Sequence, residues 1–124
     1  MAYLKGTFDF YKPILKVNCK NGILILGAGK EEIKIDSGFD GCIVAPKEIL
    51  NKLDLIFVGQ RDVYDFQNKK TTKDVFIGKI IVRNQIVDTY FMVGDFLLGM
   101  ELADDIFKTF KLEFEKQKFT LVLK

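Results

Sequence analysis

Short strand-like runs rich in Ile, Val and Phe follow one another along this chain, separated by Gly, Asn or Lys turns, and in some of them apolar and polar residues alternate as in strands that bury one face. The pattern predicts strands near Gly6 to Phe10, Ile14 to Cys19, Ile23 to Leu26 and Glu32 to Ile35, where Ile33 and Ile35 share a face. Further strands are predicted near Cys42 to Val44, Leu55 to Phe57, Asp62 to Phe66, Lys73 to Ile77, Lys79 to Val82 and Gln85 to Met92. The chain closes on a predicted hairpin, Leu112 to Glu115 and Phe119 to Leu123, in which Phe119, Leu121 and Leu123 alternate with Thr120 and Val122.

Only two segments carry a helical period. Pro46 stands where a first helical residue would, with Ile49, Leu50 and Leu53 behind it, so a two-turn helix is predicted over Pro46 to Leu53. A second is predicted after Gly99, where Met100, Ala103, Ile106, Phe107 and Phe110 form one apolar stripe that reads as core contact. No linker, repeat or low-complexity tract divides the 124 residues, so residues 1–124 are read as one domain. The aromatic content of 13%, 12 of those residues being Phe, favours sheet over helix. The predicted fold is mostly β, a barrel or sandwich with one or two short helices.

Composition narrows the chemistry. Lys+Arg 19 against Asp+Glu 17 leaves a charge of +2, too balanced for a dedicated nucleic-acid binder. With no histidine, the chain cannot run Ser-His-Asp or Cys-His catalysis or build the usual zinc and haem sites, so acid/base work falls to carboxylates, Lys, Cys or Tyr. Cys19 and Cys42 are far apart in sequence and form no CxxC; both read as reduced thiols in a core. No apolar run approaches a bilayer span and Met1 to Tyr11 has no signal-peptide core, so a cytoplasmic protein without membrane contact is expected. The short lead from Met1 into the first strand argues against a large pro-segment.

Two glycine-rich readings fail. Ala28 stands where a phosphate-binding loop needs Lys, and Glu32 replaces the third glycine of a dinucleotide fingerprint, so Gly27 to Lys30 is predicted to be a turn. The tripeptide Asp36, Ser37, Gly38 follows the apolar strand Ile33 to Ile35. By itself it is also a common turn sequence, in which the Asp side chain accepts a local backbone hydrogen bond.

Its surroundings say more. From Ile33 the chain reads Ile33, Lys34, Ile35, Asp36, Ser37, Gly38, Phe39, Asp40, Gly41, Cys42, Ile43, Val44, Ala45, Pro46, and further on Phe96, Leu97, Leu98, Gly99, Met100, Glu101, Leu102. This pairing resembles the retropepsin-like aspartic proteases, most of all the small single-domain members of archaea and bacteria, whose motif often reads Asp-Thr-Gly-Phe-Asp-Gly with Leu-Leu-Gly-Met further on. The likeness runs from about Pro13 to Leu123, with its specific residues in the two blocks. It implies an acid-protease closed β-barrel, homodimeric, that hydrolyses peptide bonds of peptide or protein substrates with no cofactor and no metal. Two carboxylates sharing one proton are the chemistry required, and no second Asp-Ser/Thr-Gly exists here. Asp88 and Thr89 come nearest, but Tyr90 stands where Gly is needed. The resemblance therefore places Asp36 of a second chain as the partner, on a two-fold axis.

Other roles follow as implications of the resemblance. Ser37 would hydrogen-bond across the axis beneath the carboxylates, and Gly38 would let a substrate backbone pass and offer its carbonyl. Asp40 matches the acid that holds the bound peptide away from the cleavage point, and Gly99 would cross near the catalytic loop where a Cβ would collide. A flap is expected at Asp65, Phe66, Gln67, Asn68, Lys69 and Lys70, between Asp62 to Tyr64 and Thr71 to Phe76; a solvated hairpin tip would have the same sequence character. Phe66, Gln67 and Asn68 are its candidate substrate contacts. The chain departs from the pattern at Ser37 for the commoner Thr, Phe39 for the viral Ala, Met100 for an Arg that pairs with the acid at Asp40, and Asn68 for a flap glycine. Two alternatives stay open at this level: a non-catalytic module of the same fold for dimerisation or peptide binding, and a plain β-barrel subunit with Asp36 in a turn.

Overall fold

Strand β1 (Tyr3–Asp9) and β2 (Lys12–Lys20) open the fold as an antiparallel hairpin whose last pair, Asp9 and Lys12, leaves a two-residue turn. The computed structural model describes residues 3–124; Met1, and with it the expectation about a pro-segment, lies outside them. In β2, Leu15 and Val17 are buried and Lys16 and Asn18 exposed, the alternation of a strand with one wet face. Asn21 and Gly22, at φ +53° and +76°, then turn the chain into β3 (Ile23–Leu26), as a type I′ loop requires. The segment Gly27 to Lys30 is a bend leading to β4 (Glu31–Ile35), which pairs with β2.

The remaining elements are β5 (Ile43–Ala45), α1 (Lys47–Leu50), β6 (Ile56–Tyr64), β7 (Lys70–Val82), β8 (Gln85–Val93), β9 (Leu97–Leu98), α2 (Met100–Ile106), β10 (Phe107–Glu113) and β11 (Lys118–Leu123). Among the described residues the fold is thus mostly β with two short helices. The strands form one sheet in the order β10-β11-β1-β2-β3-β7-β8-β5-β9-β4, with β6 paired to β7 beside this path. At the end of the path, β4 also pairs with β2. Leu15, Leu24, Ile33, Ile43, Ile80, Phe91 and Leu98 are fully buried, each contributing about 1.5–3 kcal/mol by leaving water. Phe119 is also fully buried, with Phe8 and Phe110 edge-on to its ring at 5.6 and 5.1 Å. Cys42 is buried and Cys19 half-buried, both as free thiols. Among the described residues no helix is long and apolar enough to cross a membrane.

Several predicted elements change. The expected strands Leu55 to Phe57 and Asp62 to Phe66 merge into one strand, β6, without Leu55, Asp65 and Phe66; it continues through a bulge between Phe57 and Gly59, and Gly59 takes φ +147°, open to glycine alone. Lys73 to Ile77 and Lys79 to Val82 likewise join in β7, whose pairing with β8 passes through Gly78. The first helix is one turn, with Pro46 extended at its cap (ψ 155°) and Leu53 beyond it in an isolated bridge to Gly22. In the second, the apolar stripe overruns the helix: α2 stops at Ile106, while Phe107 and Phe110 belong to β10. Pairing with β11 takes over there, and Met100 and Phe110 are partly exposed, not core.

Candidate active site

Asp36 stands at the end of β4, where its N–H donates to the Leu98 carbonyl (3.0 Å) and continues the parallel pairing of β4 with β9. Its side chain then folds back on the loop. Oδ1 accepts the Gly38 N–H at 2.9 Å, and the Asp36 carbonyl accepts the Phe39 N–H at 3.2 Å. The local turn and the fixed carboxylate are therefore the same structure, an Asx-type turn that orients the acid. Asp36 is half-buried, whereas Ser37, Gly38 and Asp40 are exposed.

The two sequence blocks meet at Gly99. Its N–H donates to the Cys42 carbonyl (2.7 Å), and the next two N–H groups, of Met100 and Glu101, donate to the carbonyls of Phe39 (2.8 Å) and Asp40 (3.0 Å). These are donors that the first turn of α2 cannot satisfy internally, and Gly99 at the cap has no side chain to offer, so the 36–41 loop caps the helix. Gly99 lies flat against that loop. A Cβ on it would stand 2.6 Å from the Gly41 carbonyl carbon and 2.8 Å from Phe39 Cδ2. Asp36, Ser37, Gly38, Asp40 and Gly99 thus belong to one unit.

Two shallow grooves flank the loop. One, of about 300 Å³, is lined by Tyr11, Pro13, Lys34, Asp36, Ser37 and Leu97. The other, of about 290 Å³, lies between Gly38 to Gly41 and the β6 side chains Arg61 to Tyr64, with Met92 at its floor. Among the described residues β6 pairs with β7 alone, so its second edge keeps unpaired backbone donors and acceptors.

The β6–β7 hairpin carries Phe66, Gln67 and Asn68 at its tip. Asp65 organises that tip: its carboxylate accepts the Gln67 and Lys69 N–H groups at 2.8 and 2.9 Å, and Asn68 takes φ +61°. These three tip residues line neither groove; the strand behind them does. Arg61 is the residue that sequence reasoning missed. From β6 it lines the same groove as Asp40. Its one available signal is that the chain has only two arginines among many lysines.

Asp88, the nearest second acid motif, is remote in kind: it lies on β8, paired with Lys79 at 2.7 Å, and Thr89 beside it is buried. Among the described residues, no three Cys, Asp or Glu side chains converge as a metal set. No protein-family model matches the chain, and no curated protein matches it.

Proposed function

We propose that this chain is a retropepsin-like aspartic endopeptidase, active as a homodimer in which the two Asp36 carboxylates share a proton. The observation that carries the reading is the wiring of the 36–41 loop. It holds a half-buried carboxylate between two grooves, braced by the Leu98 carbonyl and by the first turn of α2. The return of β4 to β2 supports the closed barrel that goes with it.

The chemistry follows from the pair. One Asp36, ionised, takes a proton from water as its oxygen attacks the scissile carbonyl carbon, and the other, protonated, donates to the carbonyl oxygen. The tetrahedral diol then collapses: the amide nitrogen takes a proton, the C–N bond breaks, and a carboxyl and an amine leave. An extended substrate suits the open edge of β6 by strand addition, with Asp40 and Arg61 flanking its path. That same edge supports a second reading, a peptide-binding module without catalysis.

Cleavage of an unstructured peptide library by wild type and Asp36→Asn, with sedimentation on the same samples, separates them. The expected result is a bell-shaped rate profile on the acid side of neutral for wild type, and loss of cleavage by Asp36→Asn as a folded dimer. Wild-type and Asp36→Asn dimers that bind peptides equally and cut none at any pH would refute the hydrolase and leave the binding module.

A further inference from the structure

We propose that a second copy of this chain docks on the aromatic face beside Ser37, with the Phe10–Tyr11 turn and Phe114 as its anchors. The proposal rests on the shared-carboxylate reading above, because a two-fold axis that brings two Asp36 side chains together buries the surface next to them. An axis of that kind makes each patch meet its own copy, so the patch has to be self-complementary.

The face meets that condition in shape. A groove of about 480 Å³ starts at Ser37 and Ile35 and runs between α2 and β10, lined by Met100, Phe107, Phe110 and Leu112. The knobs that such a groove accepts stand beside it: Tyr11 and Phe114 on its lining and Phe10 in the adjoining hollow are 94, 76 and 88% exposed. Tyr11 and Phe114 border both this groove and the adjoining hollow around Asp9 and Gln117, which makes the apolar surface continuous. Charge agrees as well. Asp104 and Lys108 line the groove, and neither has an ion-pair partner among the described residues, so across a two-fold each can face its opposite.

The turn itself argues for a partner. Phe10 and Tyr11 take φ +46° and +68°, a geometry that Asn-Gly adopts with least strain, and the chain uses Asn-Gly in the next hairpin at residues 21 and 22. Bulky residues in left-handed backbone are outliers, and here both are also left in water. Turn formation alone therefore does not account for Phe and Tyr at these positions; a covered face does.

The test is sedimentation velocity over a wide concentration range on wild type, Phe10→Asn/Tyr11→Gly, Phe114→Ser and Asp36→Asn. The turn variant supplies the residues its backbone prefers, so its fold is retained and its circular dichroism matches wild type. Wild type and Asp36→Asn are expected to dimerise alike, and the two face variants about tenfold or more weakly, the size of effect that buried aromatic anchors have. Phe114→Ser should cleave peptide only at concentrations that restore its dimer. Face variants that dimerise as tightly as wild type overturn the proposal, as does a wild type that stays monomeric throughout. A monomer that instead sediments with phosphatidylcholine–phosphatidylserine vesicles overturns it in favour of a lipid surface. A dimer loosened by the face variants in a protein that cuts nothing supports this interface and refutes the hydrolase reading.

Discussion

Replacing Gly99 with Ala tests the unit on which the site is built. The added Cβ would press on the Gly41 carbonyl group and the Phe39 ring, and the first of these is backbone that no rotamer change can move. To admit it, the 36–41 loop must lift from α2, which strains three hydrogen bonds of 2.7, 2.8 and 3.0 Å from Gly99, Met100 and Glu101. Overpacking costs about 1–3 kcal/mol, and each weakened bond about 0.5–1.5 kcal/mol. A net loss of about 3–5 kcal/mol is expected, a large share of the roughly 5–15 kcal/mol that holds such a domain. For a chain of this length that is a fall in Tm of about 10–20 °C, read by thermal circular dichroism at matched concentration. Gly38→Ala is the control, since its Cβ would stand 3.3 Å from Asp36 Oδ1 with no backbone in the way. It should cost less than about 1 kcal/mol. A Gly99→Ala protein melting within about 4 °C of wild type would refute the tight crossing of loop and helix.

Other positions give smaller effects. The Thr89 hydroxyl is buried without a hydrogen-bond partner among the described residues, so Thr89→Val is expected to raise unfolding free energy by about 1 kcal/mol in urea titration. At the hairpin tip, Asn68→Ala should lose about 1 kcal/mol and Asn68→Gly almost none, because φ +61° penalises a Cβ that lacks the amide's local hydrogen bonding. Burial raises the Cys19 thiol above its ordinary pKa, with Lys52 pulling against that shift and Glu31 adding to it. Alkylation by iodoacetamide at mildly alkaline pH should accordingly run slower than for a small free thiol. The unfolded chain gives up this proton first as pH rises, so the thiol's contribution to stability is full below the ordinary thiol range and is lost through the raised pKa, a trend visible in urea midpoints.

Period-2 patterning made most of the sheet legible because its strands have one face in the core. β2, β3, β4 and β8 lie where the apolar pattern places them, within two residues. It failed on β6, where almost every side chain is exposed, so no buried face imposes a period and Gly59 reads as a break. β9 escaped notice for a different reason: two residues carry no period, and only pairing on both sides makes Leu97 and Leu98 a strand. At Phe107 the helical stripe was a true local signal that lost to long-range pairing with β11. Within the candidate site, Asp36 and Gly99 stand out because each is tied to local backbone, Asp36 through its turn onto the Gly38 N–H and Gly99 through its close crossing of Gly41. Arg61 does not, since its relevance depends on where a bulged hairpin carries it.

The separation of the two sequence blocks has a topological cause. β9 runs parallel to β4 and antiparallel to β5, so those two strands lie antiparallel to each other with β9 between them. The chain leaving β4 must therefore cross the end of β9 to reach β5, and residues 36–41 are that crossing. It passes over the junction of Leu98 and Gly99, which explains both the missing side chain and the capping of α2 by loop carbonyls. A carboxylate placed on the crossing inherits the rigidity of what lies beneath it, where Leu98 and Leu102 are buried. The neighbouring hairpin is the opposite case: in β6 only Gly59 and Val63 are even partly buried, so little free energy opposes its opening. Under the proposed function, an extended ligand entering between them needs this combination, because the strand that admits it has to yield while Asp36 holds its place.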